Sequence, residues 1–332
     1  MPTPVGEPFD RLYGPQPKVR IAAFSISATK KTKAPASTTR DAMTKRQFFL
    51  LFMVPTFGCL FLFAFYPLGT AIYYSLHDWD MRSSAPMSFV GLGNFVEMFQ
   101  DPRFLNALKV SGQFLALTVL GSLALAFLVA PLVHETAKGW RRHLAIFVFI
   151  LPAVLPRIGA AYMWRLMYDP SLGIINYLLS LVGLGPYIFL QNPRNALPSI
   201  AVIDIWQWGF LLTALVVILL DEVPKEVIEA ARLDGASALS LYTRIMYPLV
   251  LPLSLPLVFI KMMESLRSFD FIFVLTAGGP GIATETLDMY AYWQGMGSSG
   301  RISYASAMSL FMVVMSIVLV TFLWKALRRW HE

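Results

Sequence analysis

Six stretches of this chain, at 48–76, 110–133, 144–167, 197–220, 249–275 and 304–324, are dominated by apolar side chains. Each is long enough to cross a bilayer core, which takes about 20 helical residues. In hydrocarbon the backbone must satisfy its own N–H and C=O groups, which leaves helices or a closed barrel, and runs of this length select helices. The expectation is an all-α polytopic membrane protein with six transmembrane helices. Composition points the same way: 14% of residues are charged, against about 25% in a soluble domain. The basic residues lie between the apolar runs rather than on one face, so the net charge of +7 bears on topology and on a lipid bilayer, with no nucleic acid as partner.

Lys and Arg then orient the chain. If both termini and the loops 134–143 and 221–248 share a side, that side holds about 18 of the 27 Lys and Arg residues and the other side about 6. Excess positive charge marks the cytoplasmic side, so the N and C termini are expected there. Residues 1–46, rich in Pro, Ser, Thr, Ala and Lys, read as a disordered cytoplasmic tail without the apolar core of a secretory signal. Met43 is an alternative start. Cys59, the single cysteine, permits no intrachain disulfide and reads as inert packing within the first run. Pro55, Pro67, Pro152 and Pro156 interrupt the spans, a feature membrane helices tolerate when neighbours satisfy the freed carbonyls.

One interruption is polar and patterned: VIEAARLDGASALSLYTRIMYPLVLP, residues 227–252. Pro224 suits the start of a helix carrying Glu226, Glu229, Ala230, Ala231 and Leu233. Asp234-Gly235 makes a turn, and Ser237 is placed to cap a second short helix through Ile245, with Pro248 and Pro252 marking entry into the next span. Glu229-Ala230-Ala231, Gly235, Ile245 and Pro248 at this spacing resemble the EAA loop of ABC-importer permeases, with Tyr247 where that family usually carries Leu. FYPLGTAIYYSLHDWD (65–80), FVGLGNFVEMFQDPRFLNALKVS (89–111), MYDPSLGIINYLLSLVGL (167–184) and LTAGGPGIATETLDMYAY (275–292) resemble segments of the carbohydrate-type subfamily, near the maltose F and glycerol-3-phosphate A subunits. The likeness covers nearly all of 48–325 and lacks the maltose F subunit's large periplasmic domain and additional N-terminal helices.

The resemblance implies a type I ABC importer permease domain over 47–332, in a bacterial inner membrane, with 221–248 as cytoplasmic coupling loop. It also implies partners: a second permease completing a heterodimer, two ATP-binding cassette subunits holding ATP and Mg, and a periplasmic solute-binding protein. The first helix of the loop would enter a cleft on the ATPase, with Glu229 as polar anchor, Ala230 and Ala231 permitting close approach, and Gly235 turning the chain. Asp234 and the glutamates are otherwise ordinary solvated charges. The chain itself carries no G-x-x-x-x-G-K-[ST] phosphate loop, so no cofactor and no catalytic role are expected of it.

Other signals point nowhere catalytic. Gly295-Met-Gly297-Ser-Ser-Gly300 matches G-x-G-x-x-G but follows no strand, and reads as a turn on the outer side. His134-Glu135 lacks the second histidine of a zinc pair, since Lys138 stands there. Gly278-Gly279-Pro280-Gly281 is turn chemistry.

Charges inside spans mark candidate substrate contacts. Lys261, Glu264, Arg267 and Asp270 recur every third residue of the fifth run, an arrangement expected to give one or two ion pairs within the ladder, with Glu264 or Arg267 facing the path and Asp270 structural. Asp204, Trp206, Gln207 and Trp208 form a polar–aromatic set of the kind that holds sugars, or else the tryptophans are interfacial anchors. Arg157 either meets a substrate or satisfies a carbonyl loosened by Pro156. A neutral sugar or polyol is the leading cargo. A phosphate ester such as glycerol phosphate is the alternative, through Arg157, Lys261 and Arg267. A secondary transporter would require coupling-ion sites and would leave the loop without a role.

Overall fold

The computed structural model describes residues 44–331 apart from Ser298, and the tail assigned to 1–43, with Met43, lies outside the described residues. One compact unit ends at Phe57 and a second begins at Gly58. The helices run in order α1 Lys45–Leu60, α2 Tyr66–Ser75, α3 Gly93–Gln100, α4 Pro102–Thr136, α5 Trp140–Val154, α6 Arg157–Met167 and α7 Ile174–Leu181. They continue with α8 Ala196–Asp221, α9 Lys225–Leu233, α10 Ala238–Ser240, α11 Tyr247–Ser265, α12 Phe269–Leu275, α13 Leu287–Gly295 and α14 Ile302–His331. The fold is all-α but for two-residue strands, β1 His77–Asp78 and β2 Ser88–Phe89, paired antiparallel.

Five helical segments are long and apolar enough to cross a membrane, and a sixth forms if the bent pair α5–α6 is one span. That pair corrects the third predicted span: its two halves meet at 94°. The cause is local. Proline disfavours helical backbone in the residue before it, and Leu155 is extended with ψ at 133°. The fifth predicted span is also two helices, α11 and α12, separated by Leu266, Arg267 and Ser268.

At two other prolines the helix widens instead of breaking, whereas Pro55, Pro131, Pro252 and Pro256 lie within continuous α-helix. Two π-helical turns, Phe61–Phe65 and Leu241–Met246, each end immediately before a Tyr-Pro pair, Tyr66-Pro67 and Tyr247-Pro248. A proline ring crowds the carbonyl four residues back and supplies no N–H, and a wider turn accommodates both defects. The second predicted loop helix therefore does not stop before Pro248. It starts at Ser237, whose side chain accepts from the Ser240 N–H, and runs through the π turn and Pro248 to Ser265.

α4 and α8 form the centre of the second unit. They approach where side chains are smallest: a Cβ on Gly121 would lie 2.3 Å from Ile205 Cδ1, and one on Gly209 would lie 2.9 Å from Leu125 Cδ2. Membrane helices associate through such close backbone packing because lipid offers no hydrophobic contrast. One apolar cluster, holding Phe114, Ile200, Ile203, Phe271 and Met289, joins α4, α8, α12 and α13. Another, holding Ala126, Ala130, Val217, Leu220, Ala231, Leu241 and Tyr242, joins α4 and α8 to α9 and the π turn. Cys59, expected as packing, is exposed.

Candidate functional site

The loop after α8 presents a short amphipathic helix. On α9, Ala231 is 7% exposed and lies in the apolar cluster with α4 and α8, with the partly buried Ile228 beside it. Glu226, Glu229, Ala230 and Leu233, spaced as one helical face, are all exposed. Leu233 reaches 89% exposure and the nearby Leu239 75%. Only Ala230 of the alanine pair thus faces outward, because Ala231 is spent on this chain's own core. No hydrogen bond or ion pair engages the Glu229 side chain among the described residues.

The helix end is rigidly built. Ala236 N–H donates to Ala231 O at 3.0 Å and Gly235 N–H to Arg232 O at 3.1 Å, with Asp234 as the C-cap and Gly235 at φ +80°. This is a Schellman end, which calls for a left-handed residue at that position. Space is not the constraint, since nothing lies within 4 Å of a Cβ placed on Gly235. Ile245 is partly buried and Pro248 exposed where the following helix enters its apolar run.

The interior candidates gather where the two broken spans meet. Lys261 and Asp204 form an ion pair with neither side chain exposed, and Lys261 Nζ also donates to Ser265 Oγ at 2.8 Å. Ser265 Oγ in turn meets Thr118 Oγ1 on α4 at 2.8 Å. Arg157, first residue of α6, reaches Asp204 at 3.4 Å and Glu264 at 3.5 Å, and donates to Arg267 O at 2.8 Å. Two cations and two carboxylates from α6, α8 and α11 therefore balance, as an apolar interior requires.

This changes the expected ladder. All three ion pairs run between helices rather than along 261–270, because α11 ends at Ser265 and leaves Arg267 exposed beyond it. Asp270 falls in the first turn of α12, where a carboxylate complements the helix dipole. Arg157 does satisfy a carbonyl, but that of Arg267 at the second break. The carbonyls loosened near Pro156 are taken by Gln207, whose Nε2 donates to Pro152 O at 3.1 Å and Leu155 O at 2.8 Å.

The set on α8 is likewise divided among faces. Asp204 and Trp208 share a side, with the Trp208 ring 5.9 Å from Lys261 Nζ. Gln207 turns to α5, and Trp206 meets Trp164 of α6 edge-on at 5.4 Å. Asp204, Gln207 and Lys261 are enclosed, while Trp208, Glu264 and Arg267 keep exposed surface. Among the described residues no cluster of His, Cys, Asp and Glu could hold a metal.

Residue spacing did not reveal a second polar network, at the end of α4. Tyr242 is buried, and its hydroxyl lies 2.7 Å from His134 Nδ1 and 3.1 Å from Glu135 Oε1. Glu135 also accepts from Arg232 of α9 at 3.1 Å, and Asp221 at the end of α8 is paired with Arg142. The loops 134–143 and 221–248 are thereby one end of the bundle.

Residues 34–330 match the profile of a family described as binding-protein-dependent transport system inner membrane component. The chain is 31% identical over 273 residues to the trehalose/maltose transport system permease protein MalF of Thermococcus litoralis, covering 81% of this chain and 90% of that protein. It is 29% identical over 279 residues to the sn-glycerol-3-phosphate transport system permease protein UgpA of Yersinia pestis, covering 82% and 92%. Among solved structures, a bacterial ABC transporter involved in the import of the acidic polysaccharide alginate shares the fold. Its TM-score is 0.73 at 24% identity, over 86% of this chain and 96% of that one.

Proposed function

The chain belongs to the family of binding-protein-dependent transport system inner membrane components, and on that premise we propose that it carries a neutral sugar or polyol through a path shared with a second permease. It is an inner-membrane transport subunit and not an enzyme. ATP and Mg would be held by two partner ATPase subunits, and solute would arrive from a periplasmic binding protein. Both termini and the loop around α9 would face the cytoplasm.

The observation that carries the coupling role is the outward face of α9. Glu229, Ala230 and Leu233 stand exposed on a helix fixed by Ala231 in the core and by a Schellman end. An exposed leucine beside an unengaged carboxylate suits a protein surface that supplies an apolar notch with a donor at its rim. Closure of the ATPase dimer would displace this helix and open the cavity outward, and hydrolysis would reset it.

The trehalose/maltose permease among the relatives favours a sugar. A phosphate ester, suggested by the sn-glycerol-3-phosphate permease, fits less well, because Arg157 and Lys261 are already balanced by Asp204 and Glu264. Trp208, Glu264 and Arg267, which keep exposed surface, would meet the solute. The deciding experiment is ATP hydrolysis by the reconstituted complex with its binding protein, supplied in turn with trehalose, maltose, glycerol and sn-glycerol-3-phosphate. Stimulation by a neutral sugar or polyol supports the reading, and stimulation by the phosphate ester alone replaces it.

A further inference from the structure

Resting on the coupling role proposed for α9, we propose that Tyr242 is the positioning residue that makes α9 and the inner end of α4 move as one body. Tyr242 sits in the π turn, inside the loop 221–248, and is 4% exposed. A hydroxyl has one proton to give. Glu135 can only accept while ionised, so the Tyr242 hydroxyl donates to Glu135 and accepts from His134 Nδ1–H. That arrangement puts the imidazole proton on Nδ1, so His134 Nε2, 3.5 Å from Asp221 at the end of α8, has no proton to give it. Asp221 is paired with Arg142 of α5, which also donates to Val217 O at 3.1 Å. Glu135 meanwhile holds Arg232 of α9.

One buried hydroxyl therefore ties the π turn that follows α9 to the inner end of α4, the helix that would have to respond. The Arg232–Glu135 pair alone is a poor transmitter, since its side chains are 58% and 38% exposed and such pairs contribute little. The apolar contact of Ala231 resists separation but is non-directional and permits sliding. Hydrogen bonds to a buried hydroxyl are directional and costly to leave unmade. Without them, displacement of α9 would be taken up by the turn at 234–237 and by the π turn, and would not reach α4.

The test uses the complete complex in proteoliposomes, with trehalose, maltose, glycerol and sn-glycerol-3-phosphate each as probe, and the variant Tyr242→Phe, which keeps the ring. ATPase subunits should co-purify in parental amount and hydrolyse ATP. Solute moved per ATP hydrolysed should fall roughly five- to tenfold, the scale of one hydrogen bond to a charged group used as coupling energy. Glu135→Ala should reproduce that loss, whereas Glu135→Gln, which retains an acceptor, should stay within about twofold of the parent. A parental transport-to-hydrolysis ratio in Tyr242→Phe overturns the proposal and leaves the role of α9 intact. Loss of co-purification, hydrolysis and uptake together also overturns it, by making Tyr242 a folding residue. A parent complex that binds no ATPase removes the role of α9 and the proposal with it.

Discussion

The Lys261 ammonium meets the Asp204 carboxylate in the interior of the helix bundle, with neither side chain exposed. The pair joins α11 to α8 and, through Arg157, to the start of α6. Removing one member of such a pair strands a buried charge, at about 3–5 kcal/mol. Lys261→Met and Asp204→Leu should each lower the unfolding free energy in detergent by that order, and the double variant should recover most of the loss. Additive losses would contradict the pairing.

Gln207 carries a smaller, more local burden. Gln207→Leu leaves Leu155 O without the donor it has now and Pro152 O with the Leu155 N–H alone, which costs about 1–3 kcal/mol for a buried polar group. Thermal unfolding of the purified subunit measures it. A variant as stable as the parent would show that the α5–α6 break does not depend on this amide.

Gly235 is held by backbone angle and not by space. Gly235→Ala should therefore cost about 1–2 kcal/mol from left-handed strain, and Gly235→Asn distinctly less, because Asn tolerates that region. Amide exchange across α9 reads the difference as faster opening in the alanine variant. Equal protection in both would mean that the Schellman end is not what fixes the helix.

Asp101, just before α4, supplies a pH test at the other end of the bundle. Burial pushes its carboxyl up, but the Tyr290 and Tyr304 hydroxyls and the Arg103 and Phe104 N–H groups outweigh burial and hold it below its ordinary 3.8. A carboxyl lowered by folding stabilises the fold above its unfolded value, and that contribution is lost as pH falls through the folded value. The stability advantage of the parent over Asp101→Asn should be full near about pH 6 and shrink below about pH 4. A constant difference across that range would contradict the assignment.

Much of this architecture is written locally. The apolar runs announce the spans, Gly235 announces the end of α9, and Ser237 caps the helix that follows. What local pattern does not carry is partnership across the chain. A ladder of Lys261, Glu264, Arg267 and Asp270 looks self-sufficient until the helix ends at Ser265 and the partners prove to be Asp204 and Arg157. Pro156 signals a break, but only Gln207, on α8, shows how its carbonyls are satisfied. Likewise His134-Glu135, rejected as a metal motif, acquires a role only when Tyr242 and Arg232 arrive from another part of the sequence. The exposure of Leu233, which marks the outward face of α9, follows from Ala231 being the side that packs.

The most direct test of the central claim is ATP hydrolysis by the assembled complex carrying Glu229→Lys or Leu233→Asp. Both side chains are exposed and bear no load in this chain's own fold, so the subunit should fold and pair with its partner permease as before. If α9 is the face that the ATPase grips, stimulation of hydrolysis by solute and binding protein is lost in both variants. Parental assembly and parental stimulated hydrolysis in both would contradict it.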